Sequence, residues 1–359
     1  MAGNSIGQIF KLITFGESHG KAIGGMVDGC PAGLSLDEAL IQEQLDRRRP
    51  GQSSITSPRK EADRVEILSG IFEGKTLGTP IGFIIKNEDQ KSEDYDAFKG
   101  KFRASHADLT YELKYAFRDH RGGGRASARE TACRVVGGSI ANQLLAASGL
   151  EIIAWVSQIG QISMPLDAIP SNRKRIDQNA VRCPDPLIAE TMKQAIEHAA
   201  ETGDSLGGII SCLVKNCPSA LGEPVFDKLE ADLAKAMLSI NASKGFELGS
   251  GFRAAAMRGS EYRDHFIANS ELIKTTSNHD GGINGGISNG MDIFFRVAFK
   301  PVSTSSSNQE LIDRSGKITL IEKGGRHDPC VVPRAVPIVE SMTALVLADH
   351  WLRNRSATV

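Results

Sequence analysis

The sequence predicts an α+β fold: a single domain over residues 1–359 built of antiparallel sheets and helices. Three observations carry this expectation. Strand-like segments come in adjacent pairs more often than in strict alternation with helices, which argues against a doubly wound parallel sheet. No stretch has the composition of a linker, although 359 residues exceed the usual domain size. Glycine contributes 37 residues while aromatics make up only 6%, a composition suited to tight turns and close backbone approach.

The elements follow in order. Residues 10–15 and 22–27 read as strands around the polar turn Gly16-Glu17-Ser18-His19-Gly20. Ser35-Leu36-Asp37-Glu38 has the spacing of a capping box, and the helix it opens runs to about Arg48, where Pro50-Gly51 stops it. Residues 65–72 and 81–86 look like a hairpin, and the charged stretch 86–101 reads as an exposed loop. Ser127-Ala128-Arg129-Glu130 is a second capping box, and Ala132, Val135, Val136, Ile140 and Leu144 give its helix an apolar face. A strand is expected over 152–159, a helix capped by Asp185 to about Ala200, and a strand over 208–215. Phe226, Leu229, Leu233, Met237 and Ile240 mark one helix face; strands follow at 292–299 and 317–322, and a last helix at 336–353 turns Ile338, Met342, Leu345 and Val346 inward. Gly24-Gly25, a strand, Cys30-Pro31 and a helix recur as Gly207-Gly208, a strand, Cys217-Pro218 and a helix, which raises an internal duplication beside chance similarity.

Composition narrows the function. Lys plus Arg is 42 and Asp plus Glu is 43, so the basic excess of a dedicated nucleic-acid binder is missing. No apolar run is long enough for a membrane span. Six scattered cysteines without zinc spacing are expected to be reduced and buried. No histidine or cysteine pair has metal-ligand spacing, so no metal is expected. The opening MAGNSIGQIF lacks a signal-peptide pattern, and the cytoplasm is the expected location.

Cationic side chains cluster locally. Arg47-Arg48-Arg49 closes the first long helix, where capping is the plain explanation and anion binding the functional one. Arg118, Arg121, Arg125, Arg129 and Arg134 surround Gly122-Gly123-Gly124 and a helix N-terminus, a site suited to phosphate or carboxylate. Pairing with Glu130 and Asp119 in a structural network is the alternative. Asn278-His279-Asp280-Gly281-Gly282-Ile283-Asn284-Gly285-Gly286 is a second candidate anion cradle. His19, His106 and His327 lie in turns where a ligand can approach, and histidine transfers protons near neutral pH.

Gly16-Glu17-Ser18-His19-Gly20, Asp46-Arg47-Arg48-Arg49-Pro50-Gly51, His106-Ala107-Asp108, the run from Arg121 to Glu130, and Gly325-Arg326-His327-Asp328-Pro329-Cys330 together resemble the chorismate synthase family, in family order and across nearly the whole chain. The resemblance implies a β-α-β sandwich and a homotetramer. It also implies a 1,4-anti elimination that converts 5-enolpyruvylshikimate 3-phosphate to chorismate and phosphate, with reduced FMN and no net redox change. NADPH enters only as an alternative source of reductant. By that likeness His19 would assist phosphate departure as a general acid, His106 would protonate or hydrogen-bond to the reduced flavin, and Asp328 would help flavin N5 accept the ring proton. Arg48, Arg49, Arg129, Arg134 and Arg326 would anchor substrate, with Ser18 in support and Arg48 also a candidate for NADPH. FMN would be held by Arg125, Ala126, Ser127, Asn241, Ala242, Gly285, Lys300, Pro301, Val302, Ser303, Thr304 and Arg326. Two departures stand out. The family's Arg-Pro-Gly-His-Ala-Asp reads Arg103-Ala104-Ser105-His106-Ala107-Asp108, and the arginine often found shortly after Arg-Arg-Arg-Pro-Gly is Ser54. A net flavin oxidoreductase and a non-enzymatic anion binder are the rival functions.

Overall fold

The computed structural model describes residues 3–53, 55–56, 61–88, 98–166, 168–170, 172–268, 273–303, 309–321 and 328–358. Two five-stranded antiparallel sheets enclose a layer of helices. The first sheet runs Ser5–Ile6, Lys11–Phe15, Ala22–Asp28, Ile81–Lys86, Val65–Ile67 across its width; the second runs Ile162–Ser163, Glu151–Ile159, Gly208–Lys215, Ile293–Phe299, Ser243–Leu248. A three-stranded sheet, Lys101–Arg103, Gln309–Asp313 and Ile318–Ile321, stands apart. The helices are α1 (Glu38–Arg48), α2 (Asp108–Tyr115), α3 (Thr131–Leu145), α4 (Arg173–Asp177), α5 (Pro186–Glu201), α6 (Leu229–Leu238), α7 (Gly259–Tyr262) and α8 (Val332–Asn354).

The α+β expectation and the β-α-β layering both hold. α3 packs on the first sheet, α8 on the second, and the two helices pack on each other. The glycine pair in α3 makes this possible. A β-carbon on Gly137 would stand 2.9 Å from Leu12 in the first sheet, and one on Gly138 would stand 2.4 Å from the Ser341 backbone of α8. Buried apolar side chains form one contiguous set from Phe10 to Ala348, with a separate small pair, Phe98 and Leu311.

Several local expectations need correction. Asp37, not Ser35, caps α1, by accepting from the Ala39 N–H; Ser35 instead bridges to Lys75. Ser127 does cap its segment, but a 3-10 turn at Ala128–Glu130 precedes α3. Val65–Ile67 joins the edge of the first sheet, while Ile71–Phe72 pairs with Lys75–Thr76 as a separate ribbon. Phe226 is exposed and lies before α6. The last helix begins at Val332 and is buried on nearly every side rather than on one face, because it lies between two sheets and other helices. Pro337 inside it leaves the Pro333 carbonyl without a helical donor; the Arg182 guanidinium supplies one.

The duplication also has a structural counterpart. Numbered by chain order within each sheet, the first runs 1-2-3-5-4 and the second 2-1-3-5-4. In both, the third strand is followed by Cys-Pro and then a helix (α1, α6), and the fifth strand is followed by one of the two central helices. α3 and α8 thus occupy equivalent places in the two halves.

Candidate active site

A cleft of about 1150 Å³ opens at one end of the helical layer. His19 enters it from the turn between the first two long strands, where the Gly20 N–H closes onto the Glu17 carbonyl at 3.0 Å. The ring is buried, and Ser18 Oγ lies 3.0 Å from its Nδ1. Gly122 closes over it with φ +112; a β-carbon there would stand 2.3 Å from His19 Nδ1. The triple-glycine loop therefore packs directly against the histidine.

The arginine triplet is divided by helical geometry, since neighbours on a helix point about 100° apart. Arg47 pairs with Asp177 and Glu340. Arg48, 2% exposed, turns into the cleft floor and donates to Asp63, Thr131 and the Ala128 carbonyl. Arg49 ends the helix with its side chain outside the cleft, 3.7 Å from Asp46. Asp63 also pairs with Arg129, which meets Glu61 at 3.7 Å, so two buried carboxylates together offset the two cleft arginines. Burial works to raise the Asp63 carboxyl, but Arg48 and Arg129 hold it below its ordinary range. For Arg48, burial dominates and lowers its affinity for the proton despite Asp63.

Three more arginines of the cluster are paired as well. Arg118 meets Asp108 and Glu112, Arg121 meets Asp119, and Arg134 meets Glu130 and Ser239, outside the cleft lining. The uncompensated arginine cluster expected from sequence is thus largely a network of ion pairs. Two cations on the lining give their hydrogen bonds to neutral acceptors. Arg125 donates to Thr14, Gly16 and Asn4. Lys300 donates to the Ser105 carbonyl and Ser303 Oγ, and burial, with Lys244 nearby, lowers its basicity. Their charge remains for an anionic ligand.

His106 reaches the cleft on the loop before α2. Asp108 fixes the base of that loop through two hydrogen bonds to the Arg103 guanidinium, 2.8 and 2.9 Å. Burial raises the Asp108 carboxyl, but Arg103 and Arg118 keep it below the usual range. Ser105, standing where the family has glycine, adopts φ +58. On the far wall, Asp328 pairs with Arg334, whose Nε donates to the Arg48 carbonyl.

The cleft lining brings together His19, Arg48, His106, Arg125, Ala126, Ser127, Arg129, Asn241, Ala242, Lys300, Pro301, Val302, Ser303 and Asp328. Ser18 stands directly behind His19. Gly285 lies elsewhere, in the hairpin of Ile283–Asn284 and Ile287–Ser288 against the start of α6. Thr304 and Arg326, with Ser54 and His327, fall outside the described residues. Sequence reading passed over Asp63, Arg103 and Arg334. Asp63 acquires its role only from partners brought close by the fold, whereas Arg103 and Arg334 pair with Asp108 and Asp328 only five and six positions away.

Residues 10–352 match the family profile described as chorismate synthase. The chain is 59% identical to the chorismate synthase of Christiangramia forsetii over 359 residues, all of both chains. It is 57% identical to that of Flavobacterium psychrophilum over 99% of each, and 54% identical to that of Bacteroides fragilis over 98% of each. A solved structure titled as the crystal structure of chorismate synthase aligns with a TM-score of 0.75 at 33% identity, covering 97% of this chain and 93% of that one. Fold, cleft and relatives together define an enzyme of the lyase class. The chain belongs to the chorismate synthase family and, with it, to the shikimate pathway.

Proposed function

We propose that the cleft eliminates phosphate from 5-enolpyruvylshikimate 3-phosphate to give chorismate, with reduced FMN bound beside the substrate. The observation that carries this reading is the convergence of His19, His106 and Asp328 on one cleft where, among the described residues, Arg125 and Lys300 hydrogen-bond only to neutral acceptors. The residues fit a phosphorylated ring cofactor. Asn241 donates to the Ala126 carbonyl at 2.8 Å, while its buried Oδ1 has no hydrogen-bond partner; a ring N–H would satisfy it. Lys300 and Ser303 offer an ammonium and a hydroxyl to a phosphate tail. When bound, reduced flavin would lend electron density to the substrate ring as the C–O bond to phosphate breaks and would regain it as the ring C–H bond gives up its proton, which leaves the overall reaction redox-neutral.

The protein's own groups supply binding and proton placement. Arg48 and Arg129 line the floor, with Asp63 fixing their guanidinium planes. Ser18 engages His19 at Nδ1, so proton donation to the departing phosphate falls to Nε2. Arg334 holds the Asp328 carboxylate on the opposite wall. His106, on its clamped loop, serves the cofactor side. We further propose that the whole chain acts as one domain in a cytoplasmic homotetramer, with the flavin reduced elsewhere. α8 is the one described helix long and apolar enough to cross a membrane, and 94% of its apolar window is buried in the protein.

The test is an anaerobic assay of phosphate and chorismate release. Many turnovers per reduced FMN, and none with oxidised FMN, are expected. Stoichiometric consumption of reduced flavin would instead mark a net oxidoreductase. Repeating the assay with oxidised FMN and NADPH should yield no product; turnover there would assign the reduction to this chain.

A further inference from the structure

The loop carrying His106 is held at two places in different ways. At its base, buried Asp108 accepts from both the guanidinium and the backbone N–H of Arg103, the latter at 3.1 Å. At its tip, the exposed Ser105 turns the chain at φ +58, a region that disfavours a side chain. The turn's own closure is weak, with the His106 N–H 3.4 Å from the Arg103 carbonyl. The tip is also held from outside: the Ser105 carbonyl accepts from Lys300 Nζ and from Ser303 Oγ, both at 3.1 Å. Lys300 Nζ also reaches Ser303 Oγ at 2.8 Å, and the Lys300 backbone N–H is anchored on the Ala242 carbonyl at 2.9 Å.

An ammonium and a hydroxyl side by side are the donors a phosphate monoester takes. Ser303 has one proton to give, so it cannot serve a phosphate and the Ser105 carbonyl together. For Lys300, an anion is a stronger acceptor than a neutral carbonyl, since both partners are then charged. We propose that Lys300 and Ser303 are positioning residues for His106. In the ligand-free protein they latch the Ser105 carbonyl, and a phosphate arriving at the same donors displaces it, so that filling the cleft frees the tip of the His106 turn while Asp108 keeps its base. The choice of FMN as the phosphate ligand rests on the function proposed above; the latch itself is a property of the protein alone.

Hydrogen–deuterium exchange of the full-length protein tests it. Without ligand, Lys300→Met and Ser303→Ala should each raise exchange of the 104–107 amides several-fold, and Lys300→Arg, which keeps a donor, should restore protection. Unchanged exchange in both variants would overturn the latch. In the wild type, oxidised FMN should raise exchange at the same amides, whereas riboflavin, which lacks the phosphate, should not. Equal effects of the two flavins, or protection of the turn by FMN, would overturn the phosphate exchange. Flavin binding is read separately by fluorescence quenching. Loosened variants with no FMN binding would keep the latch and reject the flavin reading; FMN binding with unmoved variants would do the reverse.

Discussion

At Gly122 a single methyl group separates a packed site from a blocked one. The loop passes so near His19 that a β-carbon would overlap the ring, and φ +112 excludes most side chains in any case. Gly122→Ala should therefore lower turnover strongly while circular dichroism stays native; wild-type turnover would show that the loop yields. His106→Ala should reduce turnover by about 10² to 10⁴, the usual contribution of an acid–base group, and near-normal turnover would remove it from the chemistry. Asp63 belongs to a different class, since it is not itself on the cleft lining but pairs with two arginines that are. Its carboxyl is held below the ordinary range. Its stabilising contribution is therefore complete above the unfolded value near ~4 and is lost as pH falls through the lower folded value. Asp63→Asn should cost about 3 kcal/mol at neutral pH, as for other broken buried pairs, and should flatten the acid limb of stability. Urea midpoints at pH 7 and pH 3.5 would show whether the gap between variant and wild type narrows in acid.

Among the elements, the crossing of α3 and α8 sets the spacing of the whole sandwich. Gly138→Ala must push Ser341 away, and overpacking of this kind typically costs about 1–3 kcal/mol; an unchanged denaturation midpoint would mean that the helices slide apart freely. The turn before α2 offers the opposite case. Ser105 takes a conformation that suits glycine, so Ser105→Gly should be neutral or stabilising by up to about 1 kcal/mol, and a marked loss would show that its side chain matters. Element-level features that depend on neighbours in sequence were legible. The Asp185 cap of α5, the Ser127 cap before α3 and the strand Gly208–Lys215 stand where local pattern put them. Ser35 was misread because Ser35 and Glu38 have capping-box spacing, whereas Asp37, with Leu40 three positions on, caps without a box by accepting from the Ala39 N–H. α2 went unseen because its apolar side chains stay largely exposed, leaving no one-faced pattern to find.

Over the whole molecule, the six cysteines report on the core. All are buried and free. Burial pushes the thiols of Cys133, Cys217 and Cys330 up to about 12 and those of Cys30 and Cys183 to about 11, and raises Cys212 as well. A disulfide reagent at pH 8 should leave the native protein unlabelled and titrate six thiols after denaturation; fast labelling of a native thiol would reveal an opening this fold does not show. The family, the antiparallel layering and the clefts' histidines were readable from the sequence because motifs and strand–helix order are local patterns along the chain. Charge compensation was not. Arg48 with Asp63 and Arg47 with Glu340 join residues 15 and 293 positions apart, and no spacing rule pairs them. The sequence by itself determined which chemical groups the protein carries and in what order. The tertiary structure alone decided which arginines are neutralised inside the protein and which described cations, Arg125 and Lys300 among them, are left to meet an anion, because Coulombic partners are chosen by distance in space and by exclusion of water, and neither is written in the order of residues.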